Sequence, residues 1–309
     1  MKKMLKIFGI LLAVVLLLLL ILSIYLKNKP AVPKDYQVTT EIGAEIEKKY
    51  MANGNYEVAK KEQGALLSFG KFLIFYPKEL ETSNKKYPVI VIQNGSGTPL
   101  SKFTTIAEHY ASWGFIVIGT EELYSWNAFG AEMSIRYLER MNDNQKIEDA
   151  ESIFYQKVDF DKVGTVGHSQ GGVGVFNAIT DTTHKNIYKT AVSLSPTNKE
   201  LAHNLFWDYD ASKINIPILL VSGEGGGDDL VVTGDQLTAI YNDIQSDKVA
   251  MRRKNTVHNE VLYKADGYVT AWFMWQLQGD TEAAKAFLGE QPEISTNPYY
   301  TDQKIDIKP

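Results

Sequence analysis

At 309 residues and 44% hydrophobic content, the chain can bury a full core in one globular domain, which excludes the disordered class. It contains no cysteine, which excludes disulfides, thiolate metal sites, a cysteine nucleophile and lipid attachment to an N-terminal cysteine. A net charge of −5, with no basic stripe interleaved with aromatics, argues against a nucleic-acid surface.

The chain opens with Met-Lys-Lys-Met-Leu-Lys, followed by an apolar run from Ile7 to Leu26. Such a run matches the roughly 20 residues that cross a bilayer as a helix. No small-x-small cleavage site follows it. Residues 1–26 are therefore expected to be an uncleaved signal anchor, an N-terminal transmembrane helix that leaves a single-pass protein with its catalytic part on the extracytoplasmic side of the cell membrane. Secretion after signal cleavage is the alternative. Residues 27–54 read as a juxtamembrane segment, with Pro30 and Pro33 breaking any continuation of the anchor and a short helix around Glu41 to Met51.

Residues 55–309 are expected to form the catalytic domain. Strand-like runs at Phe72 to Tyr76 and Pro88 to Gln93 precede a helix over Lys102 to Trp113. Then come a strand at Phe115 to Gly119, a helix at Asn127 to Met141, and strands at Val163 to Gly167, Thr190 to Ser195 and Ile216 to Ser222. A helix near Thr233 to Gln245, a strand at Lys248 to Asn255 and a helix at Gly267 to Leu277 close the pattern. Strands alternating with helices predict an α/β fold, a mostly parallel sheet with helices on both faces. Active-site loops then gather at the carboxyl ends of the strands.

The most informative motif is Gly167-His168-Ser169-Gln170-Gly171. It reads as a nucleophile elbow, a sharp strand-to-helix turn whose serine needs neighbours without bulk two residues away on either side. The backbone N–H of Gln170, at the start of the following helix, is a candidate oxyanion donor. Bare G-x-S-x-G is a weak signal, and its context carries it: an apolar run before, a helix-compatible segment after, and an acid and a histidine downstream in that order. The acid is sought after the strand Ile216 to Ser222, in Gly223-Glu224-Gly225-Gly226-Gly227-Asp228-Asp229. Asp228 and Asp229 both qualify. Asp229 is favoured because Leu230-Val231-Val232 follows it directly, and Glu224 is the third choice. The same acids would alternatively serve as caps for the helix near Thr233.

Only His258 lies beyond that loop, after another strand and before a helix, as a general base should. His109 lies on a helix and is expected to face solvent or a neighbouring element; His184 and His203 lie in polar connections. His168 is expected to pack or to line the pocket wall. The second oxyanion donor is sought in Asn94-Gly95-Ser96-Gly97-Thr98-Pro99, where the N–H of Ser96 is nominated; an ordinary glycine turn is the alternative reading. Trp126 and Phe129 are candidate acyl-pocket residues with an equal claim to the core.

With these residues in view, the stretch from Tyr56 to Leu288 resembles the α/β-hydrolases of the dienelactone hydrolase-like and polyesterase, lipase and cutinase group, with platelet-activating-factor acetylhydrolases as relatives. The resemblance rests on Phe-Leu-Ile-Phe-Tyr-Pro, Tyr-Pro-Val-Ile-Val-Ile-Gln-Asn-Gly, Ile-Ala-Glu-His-Tyr-Ala-Ser-Trp-Gly-Phe-Ile-Val-Ile, Gly-His-Ser-Gln-Gly-Gly and Gly-Tyr-Val-Thr-Ala-Trp-Phe. It implies an α/β-hydrolase fold, with Ser169 as nucleophile, Asp229 as acid, His258 as base, and Ser96 and Gln170 as oxyanion donors. It also implies a serine-dependent esterase or lipase-like enzyme that takes small or lipid-like esters, with no cofactor and no metal. Two departures stand out: polyester-cleaving members often carry an aromatic where Ser96 stands and a tryptophan where Thr197 follows Pro196. Dienelactone hydrolases proper use cysteine. An amidase or peptidase with the same triad, or a catalytically silent cell-surface binding module, are the rival readings.

Overall fold

The alternation read in the sequence is realised as a nine-stranded mixed sheet in a computed structural model that describes residues 15–19, 29–65, 69–147 and 150–308. Two units are distinguished, Met1–Ala31 and Val32–Pro309. In the first, residues 15–19 are helical with exposed side chains. The rest of the expected anchor over residues 1–26 lies outside the described residues. Among the described residues, no helix is long and apolar enough to cross a membrane.

The second unit begins with two short helices, Tyr36–Thr39 (α1) and Glu45–Met51 (α2). The strands are Val58–Gly64 (β1), Lys71–Pro77 (β2), Tyr87–Gln93 (β3), Ile116–Thr120 (β4), Val158–His168 (β5), Tyr188–Leu194 (β6), Ile218–Gly223 (β7), Lys248–Arg253 (β8) and Tyr300–Asp306 (β9). Their order across the sheet is β1-β2-β4-β3-β5-β6-β7-β8-β9. The six strands from β3 to β8 pair in parallel, and β1, β2 and β9 add antiparallel margins. All seven residues of β3, Tyr-Pro-Val-Ile-Val-Ile-Gln, are buried, as expected of a strand covered on both faces.

Thr104–Ser112 (α3) and Asp266–Gln278 (α8) cover one face and meet where Tyr110 packs edge-on against Phe273, 6.0 Å between ring centroids. The other face carries Phe129–Asp143 (α4), Gln170–Thr180 (α5) and Gly234–Asp243 (α7), whose Ile135, Leu138, Phe176 and Ile240 join Ile74, Val89 and Val91 of the sheet in one core. Thr233 caps α7 through a capping box with Gln236. Lys199–Asn204 (α6) follows β6.

The expected strands and helices recur within a few residues of their sequence-based bounds. The sequence reading did not include β1, β9, α1 or α6. Of residues 27–54, expected to be a juxtamembrane segment, the part from Val32 onward belongs to the second unit. Glu47 is fully buried and accepts from Asn297 Nδ2 at 2.7 Å and Tyr300 Oη at 2.8 Å, while Arg253 Nη1 stands 3.5 Å away.

Candidate active site

Ser169 sits between the last residue of β5 and the first of α5, with φ 60° and ψ −120°, a conformation that L residues rarely adopt. The sequence holds it there by excluding bulk. A Cβ on Gly167 would lie 2.2 Å from Gly171 O, and one on Gly171 would lie 2.3 Å from Gln93 O. The strand, the helix and the end of β3 thus meet at a spacing only glycine permits. Ser169 N donates to Leu194 O at 2.8 Å, which ties the turn to the neighbouring strand end.

Gln170 is the first residue of α5, where backbone N–H groups lack intrahelical acceptors and the helix dipole favours negative charge. Its fully buried side chain accepts from Ser125 N at 2.9 Å. Ser125 Oγ in turn donates to Asn94 O, and Asn94 Nδ2 donates to the carbonyls of Thr120 and Glu122, both at 2.8 Å. These buried bonds fix the loop after β3 against the elbow. A Cβ on Gly95 would stand 3.7 Å from Ser169 Cβ. Ser96 is exposed beside it. Gly97 N and Thr98 N are used within this region, donating to Leu123 O and Gly95 O.

His258 opens a single 3-10 turn after β8, with its Nδ1 2.6 Å from Asp228 Oδ1. Asp228 is fully buried, and its other carboxylate oxygen accepts from Gly223 N. The structure sets Asp228 rather than the favoured Asp229 against the histidine: Asp229 Oδ1 lies 2.6 Å from Arg252 Nη2. The turn itself separates the two acids. Asp228 O accepts from the N–H groups of both Val231 and Val232, so the chain coils here and consecutive side chains diverge. The apolar pair that favoured Asp229 does not return directly to the core, since Leu230 is 80% exposed and Val232 is the residue that is buried. Glu224 is exposed.

His168 is buried under His258, with ring centroids 4.5 Å apart and its Nε2 2.8 Å from His258 O. Burial, reinforced by the neighbouring His258, pushes its pKa down to about 3. The sequence reading had it pack or line the pocket wall; the contact with His258 had no sequence signal, because the variable position of the elbow accepts many residue types. Of the two expected placements, His109 takes the second: it is buried against a neighbouring element, with Nε2 2.8 Å from Ala52 O. Trp126 is partly buried against the core, and Phe129 is half-exposed against Phe69. Thr197, where an aromatic was noted as missing, is buried and its carbonyl accepts from Tyr209 Oη at 3.2 Å.

A strained serine at a strand-to-helix turn, with a histidine–carboxylate pair on the loops after β7 and β8, is an arrangement able to carry out acyl transfer. Comparison with known proteins agrees with that geometry. A family model described as PET hydrolase-like matches residues 40–304. The chain is similar to Cutinase est1 of Thermobifida alba, 25% identical over 238 residues, covering 74% of this chain and 73% of that protein. It is also similar to Cutinase 1 of Thermobifida cellulosilytica, 23% identical over 242 residues, covering 74% and 83%. Cutinase of Thermobifida fusca (strain YX) is 23% identical over 242 residues, covering 74% and 72%.

Proposed function

Since the chain belongs to the PET hydrolase-like family, within the α/β-hydrolases, and is an ester hydrolase by that membership, we propose that it cleaves carboxylic esters through an acyl-enzyme on Ser169, with His258 as base and Asp228 as the triad acid. The observation that carries this reading is the 2.6 Å contact between His258 Nδ1 and the buried Asp228, on the loops that flank the Ser169 elbow. Asp228 fixes the tautomer that leaves Nε2 free to accept a proton, and its charge stabilises the imidazolium that results.

In the reaction, Ser169 Oγ attacks the ester carbonyl as its proton passes to His258. The oxyanion is held by the N–H groups of Gln170 and Ser96, and collapse expels the alcohol, which takes the proton from His258. Water, activated by the same base, then releases the acid. The substrate class is small or lipid-like esters. An aromatic-clamped polyester is a poorer fit, given Ser96 and Thr197 at the two positions where such a clamp would stand. Membrane attachment through residues 7–26 is supported by the apolar run alone. Resistance of the full chain to alkaline carbonate extraction from membranes would test it, and release into the soluble fraction would overturn it.

Hydrolysis of p-nitrophenyl esters of increasing acyl length by the full chain, with Ser169→Ala beside it, tests the enzymatic reading. Serine-dependent turnover is expected, with the chain-length optimum sizing the acyl site. Undiminished turnover in Ser169→Ala would overturn the assignment.

A further inference from the structure

We propose that His168 is a positioning residue for the catalytic base: its Nε2–H holds the main chain of His258, so that the nucleophile and the base are set at a fixed separation by a single residue. The inference rests on the triad reading above and extends it to a group that the triad does not contain. A carbonyl oxygen can only accept, so the 2.8 Å contact between His168 Nε2 and His258 O requires the proton on Nε2 of His168. Burial keeps that ring neutral, and a positive charge developing on His258 during turnover would disfavour its protonation further. One imidazole can therefore cycle through its charged form while the other, 4.5 Å away, stays a neutral donor.

The placement gives this bond its consequence. His168 is the last residue of β5 and is covalently joined to Ser169, so whatever it grips is referred to the elbow. The base loop needs such a grip. Val257 is 47% exposed; Lys254, four residues before the base, is tied to Tyr299 O through its N–H at 2.9 Å, and nearer His258 the bonds of Thr256 Oγ1 to Lys254 O and Glu260 N to Val257 O are local. Asp228 fixes the His258 ring at Nδ1 and His168 fixes its backbone, and two points of attachment set both the position and the direction of Nε2. A Cβ on Gly95 would lie 3.3 Å from His168 O and 3.5 Å from its Nδ1, so the loop after β3 packs directly against this residue.

The test compares His168→Met, which keeps length and apolar bulk but has no donor, with His168→Gln, which restores an N–H at similar reach. The full chain is assayed on one p-nitrophenyl ester, beside Ser169→Ala and His258→Ala. Loss of positioning should lower kcat about 10- to 100-fold in His168→Met with KM within about twofold, and His168→Gln should recover most of it. Wild-type kcat in His168→Met, or an equal fall in both variants at unchanged Tm, would overturn the proposal. Should both variants unfold, the wild-type imidazole decides through nitrogen NMR. A proton on His168 Nε2 that does not titrate across neutral pH supports the role, and a proton on Nδ1 removes it. Turnover that survives in Ser169→Ala or His258→Ala would sink the triad itself, by a result separate from the His168 series.

Discussion

His109 on α3 meets Asp266 on α8 at 2.6 Å between Nδ1 and Oδ2, and both side chains are buried. The other ring nitrogen, Nε2, lies 2.8 Å from Ala52 O, with Trp113 Nε1 3.2 Å away, so a protonated ring finds an acceptor at each nitrogen. Tyr36 Oη also donates to Asp266 Oδ2 at 2.6 Å. The N-terminal segment is thereby clamped to the helices on this face through one ion pair. Burial alone would lower the pKa of His109, but the Asp266 charge and the bonds to Asp266 and Ala52 outweigh it and raise the pKa above 6.5.

A raised histidine pKa stabilises the fold fully below the unfolded value near 6.5, and that contribution is lost as pH rises through the higher folded value. Thermal melts across the alkaline side of neutrality should show Tm falling in the wild type and a flatter dependence in His109→Gln. Removing one partner of a buried pair should itself cost about 3–5 kcal/mol. A wild-type Tm that is level above pH 6.5 would show that the ring is neutral there.

Asp228 and Asp229 are adjacent in sequence and opposite in consequence. Asp228→Asn should lower kcat about 10^3- to 10^4-fold with little change in Tm, because an amide permits the wrong tautomer of His258. Asp229→Asn should leave kcat within about threefold and cost at most about 1 kcal/mol, since its partner Arg252 keeps the Gly223 carbonyl and the carboxylate is half-exposed. Steady-state kinetics on the two variants settles which carboxylate serves the base, and a larger loss at Asp229 would reverse the assignment.

Glu122 carries a titration of the opposite kind. Burial raises its carboxyl to about 7, against smaller opposing effects from Thr120 and from the N–H of Gly130 at the start of α4. Between about 4.5 and about 7 the folded chain binds more protons at this site than the unfolded chain, so stability declines as pH rises through that window and then levels off. The loss is at most about 3 kcal/mol. Glu122→Gln should flatten chemical-denaturation midpoints over that range, and an unchanged slope would place the titration elsewhere. Asn94 Nδ2 donates to the Glu122 carbonyl, which joins this residue to the loop beside Ser169.

The parallel heart of the sheet and the elbow were legible because they are local. Val163 to Val166 is an apolar run buried on both faces, and Gly167 and Gly171 mark a turn that admits no Cβ. What escaped was decided by partners distant in sequence. β1 reads Val-Ala-Lys-Lys-Glu-Gln-Gly and shows little hydrophobic pattern because it lies at a sheet margin, paired only with β2. Among the described residues β9 pairs with β8 alone, and apart from the buried Tyr300 it is mostly half-buried. The choice between Asp228 and Asp229 turned on Arg252, a side chain two dozen residues downstream whose direction no motif states. The grip of His168 on His258 spans 90 residues and likewise has no local mark.

The buried carboxylate of Glu47 has a bearing on the order in which the protein is completed. Its partners Asn297 and Tyr300 lie some 250 residues further along the chain. Until they arrive, an ionised or unpartnered carboxylate would have to enter an apolar site, which is costly. Helix α2 can therefore settle onto α8 without that cost only once Asn297 and Tyr300 are in place. A chain cut short before Asn297 would leave the segment around Glu47 loosely held.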